Sequence, residues 1–125
     1  MSAKKKVPVT WMDKPEDQDY AASASYLSLL YDKKTTGGIV NKLRSAPMTA
    51  FKVKDIFRAS GLPLLSTANS HVSIDRKKIA SKEKLSPILL VRDSQNGKVI
   101  IADGYHRMCA VYYYNEDAVI PCQIV

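Results

Sequence analysis

The stretch Ile100-Ile101-Ala102-Asp103-Gly104-Tyr105-His106-Arg107 constrains this chain more than any other part of it. An apolar strand pattern runs into a glycine, then into polar and basic side chains that open a helix, so the chain turns at Gly104. The first amides of such a helix have no intrahelical partner, and the helix dipole adds positive charge, so the turn favours an anion. Gly104 permits a tight turn and close approach of a phosphate to the backbone. Arg107 adds a fork of donors suited to phosphate or carboxylate, and His106 a titratable group. Structural readings compete with these: a plain turn glycine, an Arg107 salt bridge to Asp103 or Glu116 at the surface, and Asp103 as a helix cap.

Around this turn the pattern predicts one domain of short strands and helices, preceded by a helical hairpin. Asp13, Pro15 and the following acids predict a helix start, and Tyr20, Ala24, Leu27 and Tyr31 recur at helical spacing with Leu30 on the same side. Lys33 and Lys34 suit the end of that helix, which Gly37-Gly38 break. A second short helix follows over residues 39–44, barred from extending by Pro47. Residues 51–53 alternate like a strand, and residues 54–60 form a helical turn or two stopped by Gly61 and Pro63. Residues 62–72 read as irregular, with a polar knot at Asn69-Ser70-His71. Residues 75–81 read as a short basic helix with Ile74 and Ile79 inward. The apolar run 87–91 fits a strand buried on both faces. Asn96-Gly97 predicts a hairpin to residues 98–102 in which both turn residues tolerate positive φ. A helix over 105–115 and a strand over 119–125 complete the chain. The domain division is a flexible basic tail (1–12) in which Val7-Pro8-Val9 can add an edge segment, a helical extension (13–48) packed on the domain and able to offer a homodimer surface, and the domain proper (49–125).

Composition narrows the function classes. The apolar and charged fractions, 46% and 25%, are those of an ordinary globular protein. No apolar run approaches the roughly 20 residues that span a bilayer. Met1-Ser2-Ala3-Lys4-Lys5-Lys6 lacks the apolar core of a secretory signal, so no membrane and a cytoplasmic location are expected. The net charge of +7 is unevenly spread. Residues 33–84 hold twelve Lys/Arg against Asp55, Asp75 and Glu83, a net of +9, whereas residues 85–125 come to −1. A basic middle suits either nonspecific contact with nucleic acid or a merely solvated surface.

Asp103-Gly104-Tyr105-His106-Arg107, with Met108-Cys109-Ala110 and the closing Ile120-Pro121-Cys122-Gln123-Ile124-Val125, resembles the ParB N-terminal/sulfiredoxin superfamily. Its members carry a strand, a Gly-x-His-Arg or Asp-Gly-His-x-Arg type turn, a helix, and a last strand opening with Ile-Pro or Val-Pro. The resemblance covers residues 87–125, extends to Phe51 and is absent before that. It implies a small α+β domain of ParB/sulfiredoxin-like fold, with a mixed sheet, that binds a nucleoside triphosphate, ATP or CTP with Mg2+, through Gly104, Tyr105, His106 and Arg107. Members that transfer or hydrolyse phosphate work with a carboxylate near the first strand, where this chain has Asp55. Asp103, His106 and Asp55 are therefore the candidate catalytic residues of a small-molecule kinase or nucleotidase. Free-serine kinases of the superfamily carry an Asp-Gly-His-Thr-Arg turn that is similar in part.

Other activities fit less well. Sulfiredoxins place a reactive cysteine between the glycine and the His-Arg pair, and this chain has Tyr105 there, so sulfinic-acid reduction lacks its nucleophile. Partition proteins of the superfamily use a Gly-Glu-Arg-Arg type turn and a following helix-turn-helix domain, neither of which this sequence carries. A non-enzymatic DNA-associated or interaction protein is the alternative to nucleotide binding. His71, His106, Cys109 and Cys122 include no close ligand pair, so no metal site is expected. Tyr112-Tyr113-Tyr114 point in different directions on a helix, which favours packing over base stacking.

Overall fold

The computed structural model describes residues 9–125. Residues 1–8 of the expected flexible tail (1–12), Val7 and Pro8 of its edge segment included, lie outside the described residues. From Val9 onward the chain is tied down. Trp11 bridges Leu85, whose N–H donates to Thr10 O at 2.8 Å, and Val9 and Trp11 pack on the core.

Helices α1 (Asp17–Leu27) and α2 (Lys33–Ser45) lead into strand β1 (Thr49–Lys52) and helices α3 (Val53–Ser60) and α4 (Ser70–Ala80). Strands β2 (Ile88–Asp93) and β3 (Lys98–Asp103), helix α5 (Tyr105–Tyr114) and strand β4 (Val119–Ile124) follow. The strands form one mixed sheet in the order β1-β4-β2-β3, with β2 and β4 parallel and the outer pairs antiparallel.

Side chains alternate across a strand, so a central strand covered on both faces must be apolar at every position. Ile88, Leu89, Leu90 and Val91 of β2 meet that demand and are all buried. Ile88 and Leu90 join Ile101 and Ile120 on one face, against Val53 and Ile56 of α3, Val72 and Ile79 of α4, and Met108 and Val111 of α5. Leu89, Val91 and Ala102 face the other way, against Tyr20 and Leu27 of α1 and Val40 and Leu43 of α2. The molecule therefore has three layers, with the sheet in the middle. Buried Gln123 fastens the α1/α2 layer to β4: it accepts from the Tyr20 hydroxyl at 2.5 Å and donates to Ala46 O at 2.7 Å.

Several boundaries differ from the sequence pattern. The cap of α1 is Glu16 rather than Asp13, its N–H donating to Asp19 Oδ2 at 2.7 Å. The helix ends at Leu27, leaving Leu30 exposed beyond it. Gly37 and Gly38 lie inside α2, because Asp32 caps a helix that starts at Lys33 and accepts from Thr35 N–H at 2.7 Å. The first strand covers Thr49–Lys52, and Val53 already belongs to α3. The polar knot at Asn69-Ser70-His71 is a helix start: Asn69 Oδ1 accepts from His71 and Val72 N–H, and α4 begins five residues before the expected Asp75. Ile79 is buried, but Ile74 faces outward. The β2–β3 hairpin turns through a 3₁₀ turn, Ser94–Asn96, followed by Gly97, so only the glycine takes positive φ.

Candidate functional site

Strand β3 ends at Asp103, Gly104 takes φ 111°, and α5 starts at Tyr105, as the pattern around the turn predicts. A Cβ at position 104 would overlap Ile88 Cδ1 and come within 3.1 Å of Arg107 Nη2. Only glycine meets both the angle and the space. As N-cap it has no side chain to offer, so the first-turn amides of α5 remain uncapped.

Arg107 does not stand free beside these amides. Its Nη2 lies 3.0 Å from Asp103 Oδ2, 3.7 Å from Asp19 Oδ1 and 3.3 Å from Pro87 O. Only 17% of the Arg107 side chain and 5% of that of Asp19 are exposed. The expected salt bridge to Asp103 is present, half-buried rather than at the surface, and Glu116 is not part of it. The second carboxylate comes from α1, so the helical extension reaches the turn. Burial pushes Asp103 up to about 6 against the pull of Arg107, with Asp19 beside it adding to the rise. Arg107 therefore clamps α1, β2 and β3 at the turn.

A cleft of about 250 Å³ opens between α4 and α5, lined by His71, Ile74, Asp75 and Lys78 together with Asp103, Gly104, Tyr105, His106 and Arg107. The three polar α4 residues sit at i, i+4 and i+7 and so share one helix face. The His71 and His106 rings lie 4.9 Å apart, tilted by 47°. Burial lowers the His106 pKa, and His71 and Arg107 lower it further against the pull of Asp75. Burial raises the Asp75 carboxyl, which Arg107, Lys78 and both histidines offset. Two imidazoles, one ammonium and free helix amides make a polar anion cradle, and Asp75 can hold a proton or a metal–phosphate complex within it.

A second cleft of about 380 Å³ lies across the turn, between α1 and the loop after α3, and Asp103, Gly104, Tyr105 and His106 line it as well. Tyrosines of α5 hold that loop: Tyr105 donates to Pro63 O at 2.6 Å and Tyr113 to Leu65 O at 2.8 Å. Tyr114 donates to Arg76 O, and Tyr112 packs edge-on against Phe57. The run Tyr112-Tyr113-Tyr114 thus serves packing, as its spacing predicts.

Asp55 does not join the site. It lines a different groove, with Phe51, Arg92 and Val99, at the opposite end of β3 from Asp103, and it lies 3.7 Å from Arg58. Asp75, Lys78 and Asp19 take part instead. The spacing of His71, Asp75 and Lys78 was readable in the sequence once α4 was started at Ser70; Asp19 had no local signal. Cys109 and Cys122 are free and buried, with burial raising both thiols, Cys122 to about 11. Among the described residues no three His, Cys, Asp or Glu side chains gather as a metal-binding group, and no helix is long and apolar enough to cross a membrane. No family model, curated protein or solved structure matched the chain.

Proposed function

We propose that this chain binds a nucleoside triphosphate, ATP or CTP, in the manner of the ParB/sulfiredoxin superfamily it resembles, with the phosphates in the α4–α5 cleft. The observation that supports this most is the uncapped N-terminus of α5, opening beside Gly104 into a cleft that also presents His71, Lys78 and His106. In this reading the amides after Gly104 and these three side chains contact phosphate oxygens, and Arg107 fixes the turn. Magnesium would arrive on the triphosphate, taking most of its ligands from phosphate and water, with Asp75 in the cleft wall able to complete its shell.

Titration with ATP, CTP, GTP and ADP, with and without magnesium, tests the reading, and a phosphate-release assay run beside it reads turnover. Lys78→Ala and His106→Ala should each weaken triphosphate binding by about 1.5 kcal/mol, the lower end for hydrogen bonds to charged groups. A parent protein that binds none of the four nucleotides favours the interaction or DNA-associated alternative. An unchanged affinity in both variants moves the site elsewhere.

A further inference from the structure

We propose that the second cleft, walled by Ala22, Tyr26, Leu62 and Tyr105, holds the base and sugar of the nucleotide whose phosphates occupy the α4–α5 cleft. This rests on the phosphate reading above and names the part of the ligand that α1 would recognise. The two clefts share Asp103, Gly104, Tyr105 and His106, so they are the two slopes of one ridge. Gly104 lies on that ridge, and its missing side chain leaves room for Ile88 beneath the turn. Across the ridge the lining changes from His71, Asp75 and Lys78 to Ala22, Tyr26, Leu62 and Ile101. A ligand lying across the ridge must therefore be anionic at one end and flat and weakly polar at the other, which describes a nucleotide.

The walls suit that occupant. Tyr26 is 44% exposed and Leu62 40%, leaving an aromatic and an aliphatic surface open at the cleft mouth. A base can stack on a tyrosine face whatever its identity, because every base has a π-face. Both walls are held in place before any ligand arrives: α1 by Asp19 against Arg107, and the Leu62 loop by the Tyr105 hydroxyl on Pro63 O. Small-molecule sites usually enclose roughly 300–1,000 Å³. The α4–α5 cleft, at about 250 Å³, is short of that alone and reaches it once continued over Gly104.

The experiment compares ATP and CTP with inorganic tripolyphosphate on the full chain, by calorimetric titration of the parent, Tyr26→Ala and Ala22→Trp. Both substitutions fall on exposed positions of α1, so the fold is retained. The parent should bind the nucleotides more tightly than tripolyphosphate. Tyr26→Ala should lose about tenfold in nucleotide affinity, within the range of base–aromatic stacking, Ala22→Trp should lose a similar amount by filling the cleft, and both should keep their tripolyphosphate affinity. Equal binding of nucleotide and tripolyphosphate by the parent overturns the base subsite while leaving the phosphate site standing. A parent that binds neither overturns both. Variants that change self-association but not nucleotide affinity overturn the proposal in favour of a protein interface at this face.

Discussion

A guanidinium set between a buried and a half-buried carboxylate leaves both anions uncompensated when it is removed, and that fixes what Arg107 does for stability. Its three partners all meet Nη2, so Arg107→Ala strips Asp19, Asp103 and Pro87 O of one shared donor. Breaking a buried pair in this way costs about 3–5 kcal/mol. The loss should be largest near pH 8 and smaller near pH 5, where Asp103 takes up a proton and one anion disappears. Urea unfolding at the two pH values measures this, and a pH-independent loss would show that the carboxylates are not what suffers. Asp103 itself gives the sign of the parent's pH dependence. Its folded pKa of about 6 lies above its ordinary value of 3.8, so its contribution to stability is full below about 4 and fades as pH rises through 6. Asp103→Asn should flatten that fall, which is on the order of 3 kcal/mol. The sequence showed the Asp103–Arg107 pair, four apart on one turn, but it could not show Asp19. A contact made through the packing of another layer leaves no local pattern. Nor could it weigh ligand against salt bridge for Arg107, since the residue type suits both.

Element ends follow from caps more than from breakers, and the two kinds of glycine here separate the effects. At Gly104 the backbone needs φ 111° and a Cβ would meet Ile88, so Gly104→Ala combines strain with overpacking and should cost roughly 2–4 kcal/mol. Gly37 and Gly38 are different. They lie in α2 with helical backbone, and a Cβ at either would meet nothing within 4 Å. Gly37→Ala and Gly38→Ala should each stabilise the protein by about 0.5–1 kcal/mol, read as a higher urea midpoint at unchanged slope. A destabilised Gly38→Ala would mean that α2 is not a continuous helix there. Reading these glycines as a helix break, and Asn69-Ser70-His71 as a loop, erred for one reason. Asp32 and Asn69 each satisfy the first free amides of the helix that follows them, and that gain outweighs weak propensity downstream. The strand–glycine–helix turn and the doubly buried β2 were legible because sterics and alternation act locally.

At the scale of the whole molecule, the helical extension (13–48) packs on the domain (49–125), and the sheet's second face decides how far the domain depends on it. A sheet flanked on one side only keeps its second face polar, as half-solvated sheets do. Here the second face is Leu89, Val91 and Ala102, with Ile100 beside them, and its cover is Tyr20, Leu27, Val40 and Leu43. Removing α1 and α2 exposes that face and leaves Gln123 without Tyr20 and Ala46 O. It also takes Asp19 from Arg107, so the turn loses part of its clamp. Fully burying one large aliphatic side chain is worth about 1.5–3 kcal/mol, and a domain is stable by only about 5–15 kcal/mol in all. Uncovering Leu89 and Val91, and deleting the side chains that cover them, therefore consumes most or all of that margin. Residues 49–125 alone should fail to give a cooperative urea transition or a near-ultraviolet dichroism signal, while the full chain gives both. They should also bind a dye that reports exposed apolar surface. If the fragment instead unfolds cooperatively with the full chain's spectrum per tyrosine retained, α1 and α2 are an accessory layer. The turn then needs neither Asp19 nor the second core to hold its shape.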